Sequence, residues 1–338
     1  MSTTELPQLT RKDFSSDQEV RWCPGCGDYA VLATVQATLA DIGARPESTV
    51  FVSGIGCSSR FPYYMNTYGM HTIHGRAPAV ATGLSVSRPD LDVWVVSGDG
   101  DCLSIGGNHT LHALRRNIDV NILLFNNEIY GLTKGQYSPT SPLGSVHKST
   151  PMGSIDRPLN PVSLALGAEA TFVARSIDSD RKHLSEVLAA AHAHRGASFV
   201  EIYQNCVVFN DDAFAAVTGK DTKQQNQIRL RQGEPVVFGA DGERAVVAGE
   251  DGSMRIVPTD VAGDRVVVHD ASREDPTTAF ALSRLAPSPT GPTPVGIFRA
   301  VDAPVYDDLA REQVARAKAA APADLRALLE GGNVWDVG

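Results

Sequence analysis

Residues 97–131 read SGDGDCLSIGGNHTLHALRRNIDVNILLFNNEIYG and decide the fold. The apolar run 93–96 predicts a strand that leads into this stretch, and a helical pattern around Leu111 and Leu114 follows. A second apolar run, 120–125, predicts another strand. Two strands joined by a helix predict a right-handed crossover with parallel strands. The loops after both strands then open at the carboxyl edge of the sheet, where α/β folds bind ligands.

These two loops carry the residue types of a site for a cation and a phosphate. Asp99 and Asn127 offer the oxygen ligands that small divalent cations prefer. Gly98 and Gly100 allow backbone N–H groups to approach a phosphate closely. A Gly-Asp-Gly turn by itself is usually only a turn, but the Asn-Asn pair after the next strand favours a binding site.

Composition limits the classes of function. The chain has 338 residues and a net charge of −9, which argues against a nucleic-acid surface. No apolar run is long enough for a membrane span, and residues 1–20 are too polar for a signal peptide. We therefore expect a cytoplasmic protein with neither a membrane nor a nucleic-acid partner. In that compartment five cysteines indicate metal or redox chemistry rather than structural disulfides.

The pattern along the chain divides it into three parts. Residues 1–20 are polar and predict an N-terminal arm. Strand and helix patterns alternate over 50–206, so that 21–215 is expected to form one open, mostly parallel α/β domain with helices on both faces. Residues 216–338 have little capacity for a core of their own, and we expect this C-terminal extension to pack on the domain or on a partner subunit.

The cysteines leave several kinds of metal or redox site open. Cys23 and Cys26 alone fit a zinc knuckle, a redox pair or half of an iron–sulfur site, although a zinc ribbon would need a second pair of ligands. Cys57 and Cys206 each follow a predicted strand, so they lie at the same sheet edge, and four thiolates there suit an iron–sulfur cluster. Spacing alone also allows Cys102 as the fourth ligand, although its position favours a buried small residue.

Several motifs together resemble the β subunit of the 2-oxoacid:ferredoxin oxidoreductases. The resemblance covers roughly residues 20–215 and is specific because the motifs occur in register. The motifs are WCPGCG (22–27), GIGCSSR (54–60), HGRAPAVATG (74–83), GDGD (98–101) with IGGNH (105–109), and NNEIYGLTKGQYSPTS (126–141).

The resemblance implies a thiamine-diphosphate-binding fold, here its diphosphate-binding half, with two metal centres. Mg²⁺ would be bound by Asp99, Asn127 and the carbonyl of Ile129. One 4Fe–4S cluster would be bound by Cys23, Cys26, Cys57 and Cys206, which decides against Cys102. The residues expected to line the cofactor site are Ile55, Gly56, Cys57, Ser58, His74, Gly98, Asp99, Gly100, Asp101, Asn127, Ile129, Gly131, Leu132 and Thr133.

Three side chains are expected to act in catalysis, and two of them, Arg60 and Lys134, are cations. The resemblance places His74 near the cofactor, and the guanidinium of Arg60 suits a carboxylate. Lys134 lies in LTKGQ, a form that resembles family members acting on 2-oxoglutarate, where a lysine meets the distal carboxylate. The plainer interpretations are a loop hydrogen bond for His74 and a solvated lysine at 134. We therefore expect 2-oxoglutarate first, and pyruvate or another 2-oxoacid second.

The resemblance also implies partners. No second α/β unit of suitable size follows residue 206, so a separate α subunit, or a fused γα subunit, is expected to complete the site in an αβ or (αβ)₂ assembly. The expected reaction is oxidative decarboxylation of 2-oxoglutarate with coenzyme A to succinyl-CoA, with electrons passed to ferredoxin. A scaffold that has lost turnover and a thiamine decarboxylase with zinc at the Cys-x-x-Cys pair remain as alternatives.

Overall fold

The computed structural model describes residues 8–285, 291–321, 323–332, 335 and 337. Its strands are β1 (Thr49–Ser53), β2 (Tyr68–His71), β3 (Asp92–Gly98), β4 (Asn121–Asn126), β5 (Ile129–Tyr130), β6 (Gln136–Tyr137), β7 (Phe172–Ile177), β8 (Ser198–Tyr203), β9 (Gln227–Leu230), β10 (Val237–Phe238), β11 (Arg244–Ala248), β12 (Met254–Pro258) and β13 (Thr293–Ala300).

Helices alternate with these strands over most of the chain. They are α1 (Asp28–Asp41), α2 (Ala77–Ser87), α3 (Asp99–Leu103), α4 (Gly107–Arg115), α5 (Pro161–Gly167), α6 (Arg181–Ala193), α7 (Ala215–Thr218), α8 (Lys223–Asn226), α9 (Thr259–Ala262), α10 (Thr277–Ser283), α11 (Tyr306–Ala320) and α12 (Leu325–Leu329). Short 3₁₀ helices span Arg11–Phe14, Ser58–Tyr64 and Gly263–Arg265. Among the described residues, no helix combines the length and the apolar character needed to cross a membrane.

The main sheet has the strand order β2-β1-β3-β4-β8-β7-β13-β9. Strands β2 to β7 in this order are parallel to one another, whereas β13 runs antiparallel to β7 and parallel to β9. The predicted α/β class, an open and mostly parallel sheet, is therefore confirmed. Because β3 pairs with β4 in parallel and Gly98 lies opposite Phe125, the loops after the two strands lie side by side.

Both faces of the sheet are buried, which explains why its strands are continuous apolar runs. Val93 and Val95 of β3 face a core that includes residues of α2, α4, α5 and α10. Trp94 and Val96 face a second core with residues of α1 and α6. Alternate side chains of the strand thus pack against the helices on opposite faces of the sheet, as predicted for helices on both faces.

The two ends of the chain join this domain. Phe14, in the segment expected to be an arm, is fully buried in the second core. In the C-terminal extension, β9 and β13 pair into the main sheet, so the sheet includes strands from beyond the expected boundary at residue 215. Strand β13 begins inside a Pro-rich stretch that gave no strand pattern, because pairing with β7 and β9 outweighs local propensity there. Strands β10, β11 and β12 form a separate small sheet.

A buried ion pair joins β7 to β8, and its arginine also bonds to the extension. Arg175 Nε of β7 lies 2.6 Å from Glu201 Oε2 of β8, and both side chains are almost completely inaccessible to solvent. Arg175 Nη1 also donates to the carbonyl of Pro294 in β13, at 3.2 Å. Glu201 Oε1 in turn accepts a hydrogen bond from Asn126 Nδ2 at 2.7 Å, which connects the pair to the end of β4.

We expect Arg175→Met to destabilise the protein by about 3–5 kcal/mol, because it leaves the Glu201 carboxylate buried without its partner. The measurement is the free energy of unfolding in urea for the purified protein. Arg88→Met is the matched control, since it breaks an exposed ion pair with Asp90 and should leave the unfolding midpoint unchanged. Equal stability of Arg175→Met and the wild type would contradict the structural role of the buried pair.

Candidate active site

Two neighbouring cavities lie at the carboxyl edge of the parallel strands. The first, called here the Asp99 cavity, contains every residue predicted to line the cofactor site, and Ile105, Phe125 and Tyr130 in addition. Its wall consists of Ile55, Gly56, Cys57, Ser58, His74, Gly98, Asp99, Gly100, Asp101, Ile105, Phe125, Asn127, Ile129, Tyr130, Gly131, Leu132 and Thr133. The segments that follow β1, β3 and β4 supply most of it, as the parallel pairing requires.

Asp99 is the buried acid of this cavity. Ser138 Oγ donates to Asp99 Oδ2 at 2.5 Å and Thr140 Oγ1 donates to the same oxygen at 2.6 Å. Burial raises the pKa of Asp99 to about 6, while the two hydroxyls and the backbone N–H of Gly100 oppose that rise. Because both side-chain donors use Oδ2, Oδ1 remains as the oxygen for a cation.

The segment after β4 supplies further oxygen atoms. Asn127 Nδ2 donates to Gln204 Oε1 at 2.9 Å, and Asn127 Oδ1 accepts from the backbone N–H of Ile129 at 3.2 Å. These bonds fix which way the amide points. Glu128 between them has a φ of 57°, in the left-handed region, and this sharp turn brings both neighbours into the cavity wall. A carboxylate, an amide oxygen and a backbone carbonyl form a donor set that suits Mg²⁺.

The cavity also contains a buried hydroxyl that could bind a phosphate group. A Cβ atom on Gly100 would lie 2.1 Å from the Tyr130 ring, so only glycine allows the backbone to pass this close to that ring. Ser58 Oγ is buried in the wall and has no hydrogen-bond partner among the described residues. A buried hydroxyl without a partner is costly unless a ligand satisfies it. An anionic ligand in the cavity would provide that partner.

The second cavity, called here the cysteine cavity, has a volume of about 240 Å³. All four cysteines predicted to bind a cluster line it. Its wall consists of Arg21, Trp22, Cys23, Cys26, Cys57, Arg60, Asn127, Gly131, Leu132, Lys134, Gln204, Cys206, Val207, Val208 and Phe209. Cys102 lies elsewhere, fully buried, with its Sγ 3.1 Å from Thr110 Oγ1. Its place away from the cavity agrees with a packing role.

The electrostatics of the cysteine cavity favour a cationic centre. Burial raises the pKa of Cys57 to about 11, and the charge of Asp28 adds to the rise. Burial also raises the pKa of Cys26, whose sulfur accepts a hydrogen bond from Gln204 Nε2 at 3.3 Å. A positive centre bound to the sulfur atoms of Cys57 and Cys26 would favour their thiolate forms. The grouping fits iron ligation.

The four thiols line one cavity, but they do not gather around a single point. Within the part of the chain that the structure describes, no three His, Cys, Asp or Glu side chains gather closely enough to bind one metal ion. A four-iron cluster binds one thiolate per iron, so its ligands stand around a volume instead of a point. Four thiols around an open cavity therefore fit a cluster.

The two cavities share a wall. Cys57, Asn127, Gly131 and Leu132 line both of them. A Cβ atom on Gly131 would lie 3.5 Å from Cys57 Sγ and 3.7 Å from Cys206 Sγ, in van der Waals contact with both. Both thiols therefore lie close to Gly131, which also lines the Asp99 cavity. A centre among the cysteines would therefore lie next to a ligand bound at Asp99.

The predicted catalytic side chains do not share one cavity. His74 lines the Asp99 cavity, and its Nδ1 lies 3.6 Å from Asp101 Oδ1. Arg60 and Lys134 line the cysteine cavity instead. Lys134 is exposed and has a φ of 75°, so its backbone is in the left-handed region at the tip of the β5–β6 hairpin. Their roles in catalysis stay predictions.

Sequence reasoning missed several buried groups. The hydroxyls of Ser138 and Thr140 were seen only as part of a motif, although they contact Asp99 directly. Burial raises the pKa of Glu128 to about 8, and the charges of Asp99 and Glu201 contribute. Asp28 is fully buried beneath the cysteines, and burial raises its pKa to about 7. The sequence shows an acidic residue two positions after Cys26, but it does not show that the side chain of Asp28 is buried.

Comparisons with known proteins agree with this site. Residues 54–202 match the family described as thiamine pyrophosphate enzyme, C-terminal TPP binding domain; thiamine pyrophosphate is thiamine diphosphate. The 2-oxoglutarate oxidoreductase subunit KorB of Mycobacterium tuberculosis is 61% identical over 338 residues, covering 99% of this chain and 90% of that protein. The subunit beta of 2-oxoacid:ferredoxin oxidoreductase 1 of Aeropyrum pernix is 48% identical over 190 residues, covering 56% of this chain and 60% of that protein.

A solved structure extends the likeness to the whole architecture. The 2-oxoglutarate:ferredoxin oxidoreductase of Magnetococcus marinus, with 2-oxoglutarate, coenzyme A and succinyl-CoA bound, matches with a TM-score of 0.74 and 34% identity. The match covers 93% of each chain, so it includes most of the C-terminal extension. With a relative at 61% identity over almost its full length, the chain belongs to the β-subunit family of the 2-oxoacid:ferredoxin oxidoreductases.

Proposed function

We propose that this chain is the β subunit of a 2-oxoglutarate:ferredoxin oxidoreductase. The reaction is the oxidative decarboxylation of 2-oxoglutarate with coenzyme A to succinyl-CoA, and its electrons pass to ferredoxin. The observation that supports the proposal is the shared wall of Cys57, Asn127, Gly131 and Leu132, because a cavity lined by four thiols lies directly beside the cavity that contains Asp99. A thiamine enzyme without redox chemistry does not need a four-thiol cavity next to its cofactor cavity.

In the Asp99 cavity, the chain's own residues would hold thiamine diphosphate and Mg²⁺. Asp99, Asn127 and the carbonyl of Ile129 would bind the cation, and the backbone at Gly100 with Ser58 Oγ would receive the diphosphate. When bound, thiamine diphosphate supplies the nucleophilic carbon and the electron sink for decarboxylation of a 2-oxoacid. His74, at the mouth of this cavity, is the candidate for handling a proton or orienting the substrate.

In the cysteine cavity, Cys23, Cys26, Cys57 and Cys206 would hold one 4Fe–4S cluster. Such a cluster accepts electrons one at a time and delivers them to a one-electron carrier such as ferredoxin. Gln204 donates to the sulfur of Cys26, a contact of the kind that tunes the reduction potential of a cluster. We place the protein in the cytoplasm, where thiols stay reduced for cluster assembly.

The substrate proposal rests on cations near the shared wall. Lys134 and Arg60 both line the cysteine cavity, which shares a wall with the Asp99 cavity, and a dicarboxylate such as 2-oxoglutarate benefits from more than one cation. The Magnetococcus marinus structure that matches this chain contains 2-oxoglutarate, which supports the same choice. Pyruvate or a broad 2-oxoacid range is the second choice.

A separate α subunit, or a fused γα subunit, would complete the site. The Asp99 cavity has a volume of about 110 Å³, well below the roughly 300–1,000 Å³ of small-molecule sites. Ile105 and Leu132 on its wall are 55% and 49% exposed, and Ile73, next to His74 in sequence, is 69% exposed. An incomplete cavity with an apolar rim is what a subunit interface requires. We therefore propose an αβ unit that can double to (αβ)₂.

We expect the anaerobically purified protein to be brown and to contain about four iron atoms per β chain, because four thiolates bind one 4Fe–4S cluster. Iron analysis and the visible spectrum measure this. Cys206→Ala should lose most of the iron, whereas Cys102→Ala should keep it, since Cys102 lies outside the cysteine cavity. A colourless protein, or one that contains zinc instead, would refute the cluster assignment.

We expect Lys134→Ala to lower kcat/KM for 2-oxoglutarate about ten- to hundredfold and to change that for pyruvate little. The reason is the loss of a charge-assisted contact with the distal carboxylate, which is worth roughly 1.5–3 kcal/mol. The assay is 2-oxoacid-dependent viologen reduction by the assembled enzyme. Lys148→Ala is the control, because that lysine is exposed farther along the same loop.

Each outcome of this assay separates the alternatives. Equal losses for both substrates would remove Lys134 from substrate selection while leaving the enzyme class intact. If the wild-type complex failed to reduce viologen with every 2-oxoacid tested, the chain would instead be a scaffold that keeps the cofactors without turnover.

A further inference from the structure

Two hydroxyl groups outside the proposed ligand set hold the Asp99 carboxylate in place. Ser138 Oγ and Thr140 Oγ1 both donate to Asp99 Oδ2, at 2.5 and 2.6 Å, and all three side chains are buried. Thr140 Oγ1 also lies 2.9 Å from Asn126 Oδ1. A hydroxyl has one proton, and a carboxylate is a stronger acceptor than an amide, so Thr140 donates to Asp99.

The same segment is fastened to the end of β4. Ser141 Oγ donates to the carbonyl of Glu128 at 2.5 Å, and it accepts from the backbone N–H of Ser138 at 2.8 Å. Residues 138–141 are therefore bound to the loop after β3 through Asp99 and to the loop after β4 through Glu128. These are the two loops that carry the proposed magnesium ligands.

This places both ends of the intervening hairpin at the cation site. The hairpin begins at Ile129, whose carbonyl is a proposed ligand, and it pairs Ile129 with Tyr137 and Tyr130 with Gln136. It ends at Ser138, which contacts the other ligand, Asp99. Lys134 lies at its tip. A cation that binds both Ile129 and Asp99 would consequently join the two ends of the segment that carries Lys134.

We propose that Ser138 and Thr140 are positioning residues for the magnesium ligand Asp99, and that through them the loaded cation site orders the hairpin 129–138. The inference rests on the proposed function, since it needs Mg²⁺ and thiamine diphosphate at Asp99. Its consequence is that the lysine proposed to select the substrate takes its position only after the cofactor has bound.

Thr140→Val tests the first half of the proposal. The substitution keeps the shape and removes the donor, and outer-shell partners of a metal ligand typically contribute 10–100-fold in metal affinity. The complex is stripped of metal and thiamine diphosphate, then titrated with Mn²⁺ as the probe at saturating thiamine diphosphate, with free Mn²⁺ measured by electron paramagnetic resonance at room temperature. We expect Mn²⁺ to bind at least about tenfold more weakly to the variant than to the wild type.

Two further variants make the result specific. Thr140→Ser restores the hydroxyl and should bind Mn²⁺ like the wild type, which excludes misfolding as the cause of the loss. Ser145→Ala removes a hydroxyl of the same loop that donates to the carbonyl of Pro142 and not to Asp99, and it should have no effect. Wild-type affinity in Thr140→Val would overturn the positioning role.

Amide hydrogen exchange tests the second half. In the wild-type complex, adding Mg²⁺ and thiamine diphosphate should protect the amides of residues 131–137, and in Ser138→Ala/Thr140→Val this protection should be largely lost even at saturating cofactor. Protection that is equal in both proteins would overturn the coupling. A wild-type complex that binds no Mn²⁺ with thiamine diphosphate would overturn the proposed function, and this inference with it.

Discussion

The parallel pairing of β3 with β4 is the constraint on which the rest of the site depends. Because the two strands run in the same direction and Gly98 lies opposite Phe125, the chain leaves the sheet twice at one edge, with Asp99 and Asn127 on adjacent loops. The parallel pairings of β1 with β3 and of β8 with β4 bring Cys57 and Cys206 to the same edge. Strand pairing therefore makes neighbours of residues that are far apart in sequence, and no direct contact between their side chains is needed.

Burial then sets the electrostatic character of this edge. The carboxyl groups of Asp99 and Glu128 and the thiol of Cys57 all have a raised pKa, because each would carry a negative charge away from water. Ionising these groups in the buried site costs free energy unless a positive charge lies close to them. Proposed centres at the two cavities, Mg²⁺ in one and iron in the other, would supply this positive charge. On this reading the site is complete only when it is loaded.

The fold, and most of the residues that line the two cavities, could be predicted because they follow from motifs at the ends of strands. The predicted sheet and its two helical layers are confirmed, and the residues expected at the cofactor site line one cavity. The hydroxyls at Ser138 and Thr140 could not be recognised, since their contact with Asp99 spans about forty residues and depends on how the β5–β6 hairpin turns back. The entry of β13 into the sheet was equally hidden, because a Pro-containing stretch has no strand pattern of its own until β7 and β9 pair with it.

The position of β13 between β7 and β9 also affects how the protein is made. Synthesis proceeds from the N-terminus, so β7 and the other parallel strands emerge well before residue 293, and the edge of β7 remains unpaired during that interval. An exposed sheet edge is a template for wrong pairing with other chains. During the same interval Arg175 lacks the carbonyl of Pro294, one of its buried partners. The late strand β13 therefore covers the β7 edge of a domain whose own candidate site residues all lie upstream of it.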